Sequence, residues 1–185
     1  MSNVREQIIQ TTCDLMEKQG YHGTGLNEIV KESGAPKGSL YHYFPKGKEQ
    51  ITAEAVLQSG RTTAERIRMG LARSNSAAKA VHDFVLNIAL HVESSGFAAG
   101  GPLTAVAMET ATKSERINLA CGEAYTLLQS AFQEKLLESG YTKTAANELG
   151  TFITAAIEGG IILSRTYHTA DPLRAVAKQL KTLLG

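Results

Sequence analysis

Cysteine is scarce in this chain. The two that occur among 185 residues, Cys13 and Cys121, lie far apart, each inside an amphipathic helical pattern. That arrangement argues against a disulfide framework or a thiolate metal centre and reads as two reduced thiols in or near a core, with the cytoplasm as the expected compartment. Long apolar runs are also missing: the most apolar stretch, 149–164, is short and broken by Glu158, and no basic segment followed by an apolar one opens the sequence. Neither a membrane span nor a secretion signal is expected. A dominant charge is lacking as well, since the formal net charge is +1 and the first 60 residues carry six Lys/Arg against seven Asp/Glu. Total charge therefore says nothing about acidic partners, and only a local cluster can.

Catalytic patterns are absent too. The histidines His22, His42, His82, His91 and His168 are dispersed, and neither a His-Glu-x-x-His nor a Gly-x-Ser-x-Gly occurs. His82 and His91 are too far apart on one helical pattern to share a metal. Gly96, Gly100 and Gly101 lack the preceding strand and following Lys-Ser/Thr of a phosphate cradle, so the stretch 94–102 reads as a helix connector. No enzyme, metal or cofactor is expected.

What is present is helical periodicity. A composition of 43% hydrophobic and 20% charged residues suits a chain that buries a core, and nothing alternates with period two long enough to propose a sheet, so the expected fold is all-α. A first helix opens near Asn3 and closes at Gly20, and a second spans Leu26 to Ser33 with Thr24 as its cap and Leu26, Ile29 and Val30 facing inward. Gly34 supplies a turn. A third helix from Pro36 or Lys37 places Leu40 and Phe44 four apart on its inner side, until Pro45 stops it. Further helices fit 48–73, 77–93, 103–112, 114–139, 142–167 and 172–184, the last announced by Asp171-Pro172.

Helix, glycine turn, helix, with an outward face of hydroxyls, imidazole and lysines, is the arrangement that inserts side chains into a DNA groove. Between Gly34 and Lys48 there are three lysines, His42 and no acid, the compact positive edge that phosphate contacts require. Gly38 lets the backbone come close, and Lys37 and Ser39 can reach base edges.

The stretch Gly20 to Gln50, above all Ser33-Gly34-Ala35-Pro36-Lys37-Gly38-Ser39-Leu40-Tyr41-His42-Tyr43-Phe44-Pro45, closely resembles the DNA-binding domain of TetR-family transcriptional repressors. Gly101-Pro102-Leu103 and the run from Ile157 to Arg165 are similar to the LmrA/YxaF subgroup of that family. The resemblance implies a helix-turn-helix DNA-binding domain over 1–50, with three helices, and a helical ligand-binding and dimerisation domain over 51–185. It implies base contacts from Lys37, Gly38, Ser39 and Tyr43 and phosphate contacts from Tyr41, His42 and Thr24. Lys46 or Lys48 adds another, since one extra residue follows Phe44-Pro45 relative to the family pattern. It also implies an apolar or planar aromatic effector.

One such unit neutralises few phosphates, so a homodimer on a palindromic operator is expected. Small residues at Ala155-Ala156 and Gly159-Gly160 permit close helix approach. The expected dimer interface is Phe152, Ile153, Ala156, Ile157, Gly160, Ile161 and Leu163, in the last two helices. A small-molecule effector would meet the side chains able to line an apolar cavity, namely Phe84, Leu86, His91, Phe97, Met108, Tyr125, Leu128, Phe132 and Phe152. The rival expectation is a helical protein-interaction module that does not bind DNA.

Overall fold

The structure is a computed structural model that describes residues 4–185, so the expected helix start at Asn3 lies outside the described residues. Among these residues there are nine helices and no strand, as the all-α expectation has it: α1 Val4–Gly23, α2 Leu26–Ser33, α3 Lys37–Tyr43, α4 Lys48–Leu71, α5 Ala77–Ser94, α6 Leu103–Thr110, α7 Glu115–Glu138, α8 Lys143–Tyr167 and α9 Asp171–Leu184. They group into two packing units. One comprises residues up to Arg61 with Gly101–Ala124; the other comprises Thr62–Gly100 with Tyr125–Gly185. α4 and α7 thus contribute residues to both, and α6 belongs with the N-terminal helices.

The first unit is built on a small core. Ile8, Ile9, Cys13 and Leu15 of α1, Ile29 of α2, Leu40 of α3, Phe44, and Ile51 and Ala55 of α4 are all buried together. The periodicity that puts Leu40 and Phe44 on one side of α3 therefore decides which residues remain outside. The Cys13 thiol donates to the Ala55 carbonyl at 3.2 Å, and Arg5 pairs with Glu54, so α4 is tied to α1 at two points. Both cysteines are free and buried, as their scarcity and spacing suggest.

The first helices bear out one expectation in part and correct another. The helix does break at Gly20, but at φ 72 and ψ −176, outside the left-handed helical well, and helical structure resumes to Gly23. The cap of α2 is Gly25 rather than Thr24, with no side-chain cap. Thr24 is 0% exposed and its hydroxyl donates to the Gly20 carbonyl at 2.8 Å, sealing the break. Gly34 does behave as the spacing requires, closing α2 at φ 66, ψ 8 with its N–H on the Lys31 carbonyl.

In the second unit, Ser76 caps α5 by accepting the Lys79 N–H, and Thr142 caps α8 by accepting the Ala145 N–H. α9 packs against α5 and α8. α8 and α9 approach closely at Gly160, where a Cβ would sit 2.9 Å from Leu173 Cδ2. Tyr141 donates its hydroxyl to the Leu184 carbonyl at 2.8 Å, tying the start of α8 to the end of α9.

Candidate nucleic-acid interface

α2, the turn at Gly34 and α3 form a helix-turn-helix whose inner side is fixed by Ile29, Ala35, Leu40 and Phe44, all buried. With those anchored, α3 can present only its other face. Tyr41 is 53% exposed, and Lys37, Gly38, His42 and Lys46 are exposed as well. Ser39 is half-buried, with its backbone N–H on the Pro36 carbonyl. Nothing lies within 4 Å of where a Cβ on Gly38 would stand, so the helix offers its bare backbone outward there. Tyr43 is half-buried: it packs on the core cluster and meets the rings of His42 and Phe44 edge-on at 5.1 and 6.4 Å. It is thus partly a supporting aromatic, with only its rim available to a ligand.

The segment after α3 is held by Gln50, whose side chain accepts the Lys46 N–H at 3.1 Å and donates to Glu54. Lys48 starts α4 with its ammonium 4.2 Å from the Tyr21 ring centroid. Partial burial lowers the Lys48 pKa from its ordinary value, and the Glu109 carboxylate pushes back. Burial, with Glu49 adding to it, raises the pKa of the Tyr21 phenol. Tyr21, Gln50 and Glu109 carried no expected site role; Tyr21 and Gln50 lie inside the Gly20–Gln50 stretch, whereas Glu109 lies far outside it. Thr24, expected to touch phosphate, is corrected by its complete burial. Among the described residues no cluster of three or more His, Cys, Asp or Glu could hold a metal, and no helix is long and apolar enough to cross a membrane.

Residues 8–55 match the family model described as bacterial regulatory proteins of the tetR family. Residues 77–179 match that of the C-terminal domain of LmrA/YxaF-like transcriptional regulators. The chain belongs to the TetR family. It is 41% identical over 180 residues to the HTH-type transcriptional regulator YxaF of Bacillus subtilis, covering 97% of this chain and 94% of that protein. It is 39% identical over 180 residues to LmrA of the same organism, with 97% and 96% covered. Among solved structures, reduced NemR of E. coli superimposes at a TM-score of 0.85 with 18% identity over 99% of this chain and 98% of that one. A cysteine mutant of the regulator CifR, complexed with 26-bp operator DNA, gives 0.79 with 20% identity over 97% and 96%. This TetR-family chain is a DNA-binding transcriptional regulator, and such regulators are not enzymes.

The residues expected to meet an effector are not gathered into one place. Phe84 and Phe132 do meet, edge to face at 6.0 Å, and Tyr125 and Leu128 belong to the same unit. Phe97 instead lies edge-on to His168 at 5.6 Å, His91 is exposed, Met108 is 76% exposed in the other unit, and Phe152 is 53% exposed on α8. A surface cleft of about 380 Å³ between α4 and α5, walled by Gly70, Arg73, Asp83, Asn87 and Leu90, takes only Leu86 from that set.

The expected dimer residues also divide. Ile153, Ile157 and Gly160 are buried inside the protomer, Gly160 against Leu173 and Val176, so they are corrected to intrachain packing. Phe152, Ile162, Leu163 and Tyr167 are 45–64% exposed, and Ala156 and Ile161 are half-buried.

Proposed function

We propose that this regulator is a repressor that acts as a homodimer on a palindromic operator and is released when a small apolar or planar aromatic molecule binds the C-terminal unit. The observation that carries it is the outward face of α3, where exposed Lys37, Gly38, Tyr41 and His42 stand over buried Leu40 and Phe44. Lys37 and Ser39 reach base edges, Gly38 brings the backbone close, and the rim of Tyr43 reads an adjacent base. Tyr41 and His42 donate to phosphate, and Lys46, the more exposed of the two lysines after the turn, adds a charge. Lys48 reaches phosphate only from its place over Tyr21. Operator DNA bound to CifR, a fold relative, supports this reading. As a DNA-binding regulator it works in the cytoplasm, where its duplex lies.

Dimerisation uses the outward side of α8, where Phe152, Ala155, Ala156, Gly159, Ile162, Leu163 and Thr166 recur at helical spacing as one small or apolar face. The effector sits among Phe84, Tyr125, Leu128 and Phe132 and must bind the form whose recognition helices are wrongly spaced for DNA, because equal affinity for both forms shifts nothing. The test is selection from a random duplex pool, followed by binding of two variants to the recovered sequence. Lys37→Ala relaxes preference at one base position, whereas Lys46→Ala weakens all sequences and flattens the salt slope by about one. Failure of the wild type to select any duplex would return the chain to the interaction-module reading.

A further inference from the structure

Helix α6 is clasped to α1 at both of its ends by reciprocal carboxylates. Just before α6 begins, the Gly101 backbone N–H donates to Glu17 of α1 at 2.9 Å. At its far end, Glu109 accepts the backbone N–H of His22 at 2.7 Å, beside Lys113 whose ammonium is 3.4 Å from His22 Nε2. Glu109 does more than close a bond. Its Oε1 fills the space that a side chain at residue 20 would need, 2.1 Å from an added Cβ, and Gly20 there has φ 72. Glycine is thus favoured by its backbone conformation, and it leaves room for the carboxylate, which a side chain there would push aside. The next residue after the break is Tyr21, whose ring carries Lys48, the first residue of α4, immediately downstream of α3.

We propose that Glu109 is a positioning residue for DNA binding. Its carboxylate holds the break at residues 20–23, the break orients Tyr21, and Tyr21 with Lys48 sets where α4 begins and so how α3 is presented. The inference rests on the DNA-binding reading above and goes beyond it by naming a residue far from the recognition helix in sequence. Because the His22–Glu109 bond lies in an exposed position, losing the carboxylate hands the His22 N–H to water rather than orphaning it in the core, so stability changes little while geometry changes more.

The experiment uses the full chain and a duplex recovered by the wild type from a random pool, with dissociation constants read by fluorescence anisotropy at fixed salt. Glu109→Ala weakens binding roughly tenfold with an unchanged salt slope, because no phosphate contact is lost. Glu109→Gln, whose amide oxygen still accepts the His22 N–H, restores binding to within about threefold, whereas Glu109→Asp keeps the charge but falls short of that N–H and behaves like Glu109→Ala. Melting temperatures of Glu109→Gln and Glu109→Asp stay within about 2 °C of each other. Should Glu109→Ala fail to fold, that Gln/Asp pair still decides. Binding by Glu109→Asp equal to wild type, or by Glu109→Gln as weak as Glu109→Asp, overturns the role of Glu109 alone. A wild type that selects no duplex overturns the DNA reading and this inference with it.

Discussion

Replacing Gly38 with alanine should raise stability and lower DNA affinity at once, a pairing of signs that few other accounts produce. Gly38 is the second residue of α3, and a Cβ there meets nothing within 4 Å. Alanine in place of glycine reduces the freedom lost on folding, worth about 0.5 kcal/mol at this position near the helix start. In a chain of this size that raises the melting temperature by roughly 1–2 °C. The same methyl projects from the exposed face that is meant to lie against the duplex. Forcing an extra carbon into a close contact costs about 1–3 kcal/mol, or roughly a 5- to 150-fold loss of affinity. Circular-dichroism melting and anisotropy with a selected duplex read the two effects separately. A lower melting temperature would refute the helical environment assigned to Gly38. A higher one with unaltered binding would refute its approach to DNA.

The packing sets four further outcomes. Gly34→Ala should destabilise by about 1 kcal/mol in urea titration and Gly34→Asn by less, because φ 66 penalises a Cβ although no atom lies within 4 Å to clash; equal stability of all three would count against the turn. Phe152→Glu should convert the proposed dimer to monomer in sedimentation at micromolar concentration with little change in melting, and a wild type that sediments as a monomer would remove the dimer. Ile157→Ala, buried inside the protomer, should cost about 2–4 kcal/mol of stability. Burial pushes the Cys13 thiol up to about 12 and the Cys121 thiol up to about 11, so at pH 8 iodoacetamide should label neither until guanidinium unfolds the chain. Rapid labelling of the native protein would contradict that burial.

The sequence made the helix-turn-helix legible because three independent signals coincide there. Gly34 can only be a turn, Leu40 and Phe44 fix the inner side of a short helix, and Pro45 ends it; α2 falls on the expected Leu26–Ser33. At Gly20 the same logic holds only in part, since a glycine after a helical run signals the break but not whether the helix resumes. The decisive partner there, Glu109, is 89 residues away. Thr24 was misread for a related reason: the resumed turn to Gly23 moves the cap to Gly25 and turns the Thr24 hydroxyl back onto Gly20.

In α8 the difficulty is different. Residues 152–163 carry small or apolar side chains almost all round, so spacing identifies a helix without telling which side its own protomer takes. Gly160 and Ile157 went inward and Phe152 and Leu163 outward through their fit to α9 and the rest of the unit, which no local pattern records. The effector residues were legible only as apolar content, and content does not say that Met108 and Phe132 fall in different units.

If the outward face of α3 enters the groove, backbone amide shift mapping on adding the selected duplex will show it. The largest changes should cluster at Lys37, Gly38, Ser39, Tyr41 and His42, with Lys46 following. Tight binding of the duplex with shifts concentrated elsewhere and residues 37–46 unmoved would contradict it.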